Sequence, residues 1–489
     1  MNESVQTKIR FLDESDEPRI SRLAILSLVL GIFSLFLFVL AGIPAIVIGV
    51  ASILKIRRSA GEIRGKYIAL TGMSVSIVFM FVFYLFWRID APAIPNDYTI
   101  ADLRSAPAKY AESFKVLKTL LGENDDSSGV PAIELTNNDS SMIAEIKGIM
   151  EKGTTSEITK ALNYYADEIN QIWADNERAR DIIHLLNEFP EIADLTELNA
   201  DLKIMHVGKI IDLARLYQVY AHLKIEQNDI QPFVAELIEL DSVCRKLSVN
   251  ARMLIPKSVY LICVNENILT ANAIVNDQQA SMSTIELLSE YFIPLMDEQT
   301  SLRNSILSEY LLMRNLFSEK SGQSIVRKIL KILMLKNNST LRLFRNFFDS
   351  WLDAEEGSQN VARTKLSVWP DIYPFKEPSM SLAKRGRFPL LYRCYNPHVN
   401  IINILGPFDK TIKSRRDSII RVQITDDLLQ IVLNKRLGKE MSLKARAYSD
   451  EYIIDVDNRK ILNPGPDGKS NTRDDIMLRI DPAVLGWRN

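Results

Sequence analysis

Residues 23–54 read LAILSLVLGIFSLFLFVLAGIPAIVIGVASIL, and residues 67–87 read YIALTGMSVSIVFMFVFYLFW; only a short basic run separates them. A hydrocarbon core of about 30 Å takes roughly 20 apolar residues per helical crossing. Residues 67–87 suit one crossing, with Tyr84 and Trp87 placed for an interfacial belt. Residues 23–54 are too long for one comfortable span. They are interrupted by Ala41-Gly42-Ile43-Pro44, and Gly ends helices where Pro opens them. The expectation is three membrane helices over about 23–41, 44–58 and 66–88, with a tight turn between the first two. The competing reading is one long, tilted, kinked helix followed by the last span.

Charge sets the orientation. Between Lys55 and Lys66 lie five cations, Lys55, Arg57, Arg58, Arg64 and Lys66, against the single anion Glu62. Short basic loops stay cytoplasmic. Arg19 and Arg22 put the N-terminal tail, residues 1–22, on the same side. That tail is polar and lacks the apolar core of a cleaved signal, so the first span is expected to stay as an anchor. Residues 89–489 are then expected outside the cytoplasm, on the far face of a bacterial inner membrane.

Inside the spans stand no Asp, Glu, His, Lys or Arg. An ion pathway or transporter usually needs such groups, so that class is disfavoured. Small residues recur at four-residue spacing: Ala41, Ala45 and Gly49; Gly65 and Ala69; Gly72 and Ser76. This spacing lets helix backbones approach closely in lipid, within the anchor or between copies of it.

The runs Leu26-Ser27-Leu28-Val29-Leu30-Gly31, Gly49-Val50-Ala51-Ser52, Arg57-Arg58-Ser59-Ala60-Gly61 and Arg64-Gly65-Lys66-Tyr67-Ile68-Ala69-Leu70-Thr71-Gly72 resemble domain-of-unknown-function family 4190, a small bacterial membrane domain. Val50 and Ser76 stand where that family often carries His and Gly. The resemblance implies a bacterial envelope protein and brings no chemistry with it.

The formal net charge of -2 hides an asymmetry. Residues 91–370 carry 28 Lys plus Arg against 39 Asp plus Glu, and residues 371–489 carry 21 against 15. The basic end suits an acidic partner, the chain's own acidic part included. Nucleic acid is not expected outside the cytoplasm. Cys244, Cys263 and Cys394 have no metal spacing and sit in apolar contexts, as small buried residues do. An oxidising compartment would permit a Cys244–Cys263 bond.

Beyond a Pro-punctuated spacer over 89–100, periodic apolar positions predict an irregular stack of antiparallel helices over 101–365. Ile158, Leu162, Tyr165, Ile169 and Ile172 share one face, as do Ile204, Val207, Ile211, Ala214 and Tyr217. Leu213 to Glu226, the turn Gln227-Asn228-Asp229 and Ile230 to Leu247 resemble one tetratricopeptide-type hairpin, without a 34-residue register elsewhere. Stacks of this kind usually bind other proteins. No catalytic motif emerges. His184 and Glu188 are one helical turn apart, the four histidines are scattered, and Ser381-Leu382-Ala383-Lys384 is a bare Ser-x-x-Lys without companions.

Six prolines over 370–407 rule out helix through a crossing at 366–408. A small α+β domain is expected over 409–489: a helix from Asp409 to about Leu437, then strands near 451–456 and 476–480. Between the strands runs Asn463-Pro464-Gly465-Pro466-Asp467-Gly468-Lys469-Ser470-Asn471-Thr472-Arg473-Asp474-Asp475-Ile476. Its glycines and prolines force a tight loop in which Asp467, Asp474 and Asp475 can converge, and hard oxygen ligands are what Ca²⁺ takes. The alternative is an Asp/Gly/Asn turn that binds nothing.

This loop, with the helix and strands before it, resembles the C-terminal part of the type II secretion major pseudopilin. The resemblance implies a structural calcium loop with Asp467, Asp474 and Asp475 as side-chain ligands. It does not imply filament assembly, because a pseudopilin begins with the helix that assembles and this chain places the likeness at its far end. The expectation is therefore a mainly α protein of the bacterial inner membrane, non-catalytic, acting by interaction or as a structural element. Its expected partners are the bilayer, proteins bound through the helical domain, and a second copy through the small-residue membrane faces. The alternatives are an accessory part of a pseudopilin-like secretion or pilus system, and a metal-dependent hydrolase using the same three aspartates.

Overall fold

The computed structural model describes residues 19–37, 39–59, 63–88, 94, 97–123, 132–198, 206–318, 345–353, 355 and 399–487. The N-terminal tail to residue 18, most of the 89–100 spacer, Ile204, residues 319–344 of the expected helical stack, residues 366–398 of the proline-rich crossing, Cys394, His398 and the Ser381/Lys384 pair lie outside them. The fold is mainly helical with small sheets. It divides into two compact units, one containing residues 1–94 and the other containing residues 95–321, 343–374 and 405–489.

The first unit starts with a two-residue strand β1 (Arg19–Ile20) and helices α1 (Arg22–Leu37) and α2 (Val39–Arg58). Strand β2 (Ile63–Arg64) and helix α3 (Lys66–Arg88) follow. All three helices pack on one another. The parallel β1–β2 pair, extended by Ser21 N donating to Arg64 O, gathers Arg19, Arg22, Arg64 and Lys66 at one end.

The break between α1 and α2 falls earlier than the Gly-Pro signal suggested. Pro44 lies inside α2, where it removes only one helical hydrogen bond. Gly42 is a packing residue, not a turn residue: a Cβ there would meet Met80 Sδ at 2.8 Å. Gly31 and Gly72 bring α1 and α3 into backbone contact. A Cβ on Gly31 would meet Gly72 O at 2.5 Å, and one on Gly72 would meet Leu28 N at 2.7 Å.

The second unit opens with α4 (Ala111–Leu121), α5 (Asn137–Lys152), α6 (Thr155–Tyr164), α7 (Ala166–Asp175) and α8 (Glu177–Glu188). Capping boxes start two of these: Thr136 with Asp139 for α5 and Thr154 with Glu157 for α6. The single face expected over 158–172 is shared by two helices, because the chain kinks at Tyr165. The start of the helical stack expected from 101 is broken as well. A 3₁₀ turn at Ile100–Asp102 and another at Ala108–Tyr110 precede α4, with Pro107 between them.

The predicted hairpin forms from α9 (Gly208–Glu226) and α10 (Gln231–Asn250). Trp173 of α7 stacks on Tyr220 with ring centroids 3.9 Å apart and packs edge-on to Tyr217. Then come α11 (Leu254–Val275), α12 (Met282–Tyr291), α13 (Asp297–Thr300) and α14 (Arg303–Ser318), and a helical run over 345–353. Among the described residues α11 alone is both long and apolar enough to cross a membrane. It is instead the axis of this unit, packed by α9 and α10 and buried nearly all round. Shorter apolar stretches, Arg22–Ser34 and Lys66–Val82, lie in α1 and α3.

The C-terminal segment supplies α15 (Val399–Arg436), strands β3 (Ile453–Asp455), β4 (Lys460–Asn463) and β5 (Ile476–Arg479), and a last turn α16 (Pro482–Leu485). Contrary to expectation, α15 starts before Asp409 and runs through Pro407, since one proline removes a single helical hydrogen bond without ending a long helix. The strands form an antiparallel meander in the order β3-β4-β5, with Ile461 opposite both Ile454 and Leu478. Strand β4 was not read from the sequence. Ile424, Leu428, Ile461 and Leu478 belong to the same buried cluster as Leu213, Leu237 and Ile268, so this segment shares the helical core.

Candidate functional site

The loop joining β4 to β5 is built by three residues with positive φ: Gly465 at 70°, Gly468 at 67° and Asn471 at 66°. Only glycine fits at 465, since a Cβ there would meet Asp474 O at 2.4 Å. Buried Asn463 anchors the loop's entry. Its amide donates to Ala447 O at 2.8 Å, and its Oδ1 accepts from Gly465 N at 3.0 Å.

The structure brings the three sequence-predicted aspartates together. Thr472 Oγ1 lies 2.7 Å from Asp474 Oδ1, 3.2 Å from Asp475 Oδ1 and 3.4 Å from Asp467 Oδ1. Backbone amides hold the outer oxygens of Asp474 and Asp475 and the inner oxygen of Asp467. Asp467 N donates to Asp474 Oδ2 at 3.1 Å, Asn471 N to Asp475 Oδ2 at 2.8 Å, and Lys469 N to Asp467 Oδ1 at 2.8 Å. The Thr472 hydroxyl holds the Asp474 carboxyl below its usual range.

A hydroxyl has one proton to donate, yet three carboxylate oxygens and Lys469 O at 3.0 Å converge on it. At most one of these contacts is a hydrogen bond at any moment. The donor set, carboxylates with a hydroxyl and a loop carbonyl, is all hard oxygen and fits Ca²⁺ rather than a softer metal. Among the described residues no His, Cys, Asp or Glu group forms a ready-made metal cage. A cation here would have to share the centre with Thr472, whose place as hub the aspartate pattern alone did not reveal.

The histidines carry no shared site among the described residues. His184 pairs with Glu239 of α10 at 2.8 Å, not with Glu188, and that contact raises its pKa. His222 is half-buried, and its desolvation, with the Arg479 charge, pushes its pKa down to about 4.

Sequence reasoning also missed a groove of about 580 Å³ between α5 and α7. Met142, Tyr165 and Ile172 give it apolar walls, and Asp139, Glu145, Glu168 and Asp175 an acidic rim. Asp139 is engaged in its capping box and Asp175 accepts from Gln171 at 2.7 Å. The remaining carboxylates, Glu145 and Glu168, raise the pKa of the Tyr165 phenol between them. No residue lining the groove is basic. The residues come from two helices about thirty positions apart, which is why periodicity along one helix could not assemble them.

No curated protein and no solved structure matches this chain. The model of the domain of unknown function DUF4190 matches residues 23–86, the stretch that folds as α1 to α3.

Proposed function

We propose that α1 to α3 anchor this protein in the bacterial inner membrane, and that the second unit works outside the cytoplasm by binding other proteins rather than by catalysis. One observation carries the anchor: the first unit is packed inside out. Its interior holds Ala24, Ser27, Ser34, Ala45, Ser52, Ala69 and Ser76, all fully buried, while Ile32, Phe33, Val47, Ile77, Val78 and Phe81 are about half exposed or more. Water would penalise that exposed apolar surface, whereas lipid accepts it, and small residues let the backbones close up. The buried hydroxyls are satisfied within the unit. Ser27 donates to Ala45 O at 2.9 Å and Ser76 to Gly72 O at 2.9 Å.

The cations gathered at the β1–β2 end support the stated orientation. The DUF4190 match over the same residues agrees with a compact domain there. For the second unit, the acid-rimmed groove between α5 and α7 favours a partner that presents basic and apolar side chains together. The orientation is tested with alkaline phosphatase, which is active only outside the cytoplasm. Fusion after Asp97 should give active enzyme and fusion after Ser59 inactive enzyme. Activity in the reverse pattern would overturn the placement.

A second reading is an accessory role in a pseudopilin-like secretion or pilus system, with Ca²⁺ stabilising the 464–475 loop. The convergence of three carboxylates on one hydroxyl favours it. Calorimetry on the purified protein should then find about one Ca²⁺ per chain, and a melting temperature that rises with calcium over chelator. Asp474→Asn should lose both effects. No heat and no shift in the unsubstituted chain would remove this reading and leave the anchor untouched.

A further inference from the structure

The second unit holds two thiols that the readings above do not use. Cys244 lies on α10 and Cys263 on α11, and both are free and fully buried. The two helices run antiparallel through the short connection at residues 251–253. Their register is fixed independently by Asn267 Nδ2, which donates to Asp241 Oδ1 at 3.4 Å. One helical turn back along α11 from Asn267 is Cys263. One turn forward along α10 from Asp241 is the pair Cys244 and Arg245. Antiparallel packing therefore sets Cys263 opposite Cys244, and both side chains lie in the same buried cluster.

Nothing around the pair suggests a metal or a nucleophile. No third ligand joins it among the described residues. The contact with Cys263 and burial hold the Cys244 thiol well above its ordinary pKa, so Cys244 is not poised as a thiolate. What the geometry suits is a covalent bond between two neighbouring helices of the core.

We propose that Cys244 and Cys263 form a disulfide joining α10 to α11 as the second unit folds outside the cytoplasm. This rests on the extracytoplasmic placement given above. Each thiol gives up one proton and one electron, and the S–S bond forms. The two electrons and two protons pass, through a mixed disulfide, to the disulfide of a thiol–disulfide oxidoreductase, which leaves as a dithiol. A fully buried pair is out of such an enzyme's reach, so the bond is made before the hairpin is covered. It closes a loop of about 20 residues, long enough to restrict the unfolded chain appreciably.

The test counts free thiols in the full chain. Cells with an oxidising periplasm are quenched in acid, the membranes are denatured, and thiols are tagged with polyethylene glycol maleimide. The Cys394→Ser variant isolates the pair: it should take no tag before reduction and two after it. Two tags before reduction would overturn the proposal. A second arm then finds which premise failed. The purified reduced chain is unfolded and refolded in a glutathione redox buffer. Closure there, but not in the cell, assigns the failure to the placement outside the cytoplasm. No closure in either arm assigns it to the α10–α11 geometry. Where the bond forms, the Cys394→Ser protein should melt several degrees above its Cys244→Ser derivative, and reductant should remove most of that difference.

Discussion

Glu309 of α14 shows how a single buried carboxyl can set the pH response of the core. Only 6% of it is exposed, and among the described residues its one hydrogen bond is from Leu254 N at 3.4 Å. Burial pushes its pKa up to about 7, although the Leu254 amide pulls the other way. The folded protein thus keeps a proton that the unfolded chain, near 4.5, releases. Stability from this group is fully present below about 4.5 and is lost as pH rises to about 7. Lys257 acts above that window. Burial lowers its pKa to about 7, so the unfolded chain binds the extra proton and stability recovers as pH rises from about 7 toward 10.5. Glu309→Gln keeps an acceptor for Leu254 N and removes the titration. We expect it to match the unsubstituted protein near pH 4.5 and to be more stable at pH 8, by an amount on the order of 3 kcal/mol. Urea unfolding at the two pH values measures the difference, and an equal effect at both would show that Glu309 titrates normally. Neither residue stood out in the sequence. Ser305 through Leu311 are all buried, so α14 has no polar face at that point to mark a carboxyl as misplaced.

At the scale of elements, legibility followed periodicity. Helices α6, α7, α9 and α10 could be read from spacing, whereas the Thr136 and Thr154 boxes that start α5 and α6 were not singled out. The axis α11 escaped because it is wrapped on every side. An all-round apolar helix has no stripe, and its buried Lys257, Glu266, Asn267 and Thr270 further disguise it. Strand β4 is four residues long, three of them fully buried, and was too brief to alternate visibly. Gly42 and Pro44 misled for a different reason. Both are turn residues by habit, but among closely packed apolar helices a glycine also makes room for a neighbour. The Met80 thioether occupies that room, and α2 runs from Val39 through both residues. In the 464–475 loop the sequence was most informative, because each residue with positive φ is Gly or Asn and the three aspartates follow at fixed steps from them. The hub hydroxyl of Thr472 became evident only with the loop folded.

At the scale of the molecule, the packed helical unit over 22–88 was legible and the reach of the core was not. Nothing in the sequence ties Arg479 to α5, yet its guanidinium donates to Met150 O at 3.2 Å and to Glu151 O at 2.5 Å. Asn272 of α11 donates to Arg479 O at 2.8 Å, and Asp481 N donates to Asn276 Oδ1 at 2.6 Å. These bonds span more than 200 residues of chain, beyond any local pattern. They fasten β5 onto the axis helix, and the apolar residues beneath join both parts in one cluster. Residues 409–489 should therefore not unfold as a separate domain. Calorimetry on residues 95–489 is expected to show one cooperative transition for the helices and the sheet together. Arg479→Ala, which leaves two helix-end carbonyls without this partner, should lower that single midpoint by a few degrees, equivalent to about 1–2 kcal/mol. Two resolved transitions, with only the smaller one moved by the substitution, would mean that the sheet folds alone. The bonds from Arg479 and Asn272 would then be contacts between finished domains rather than part of one core.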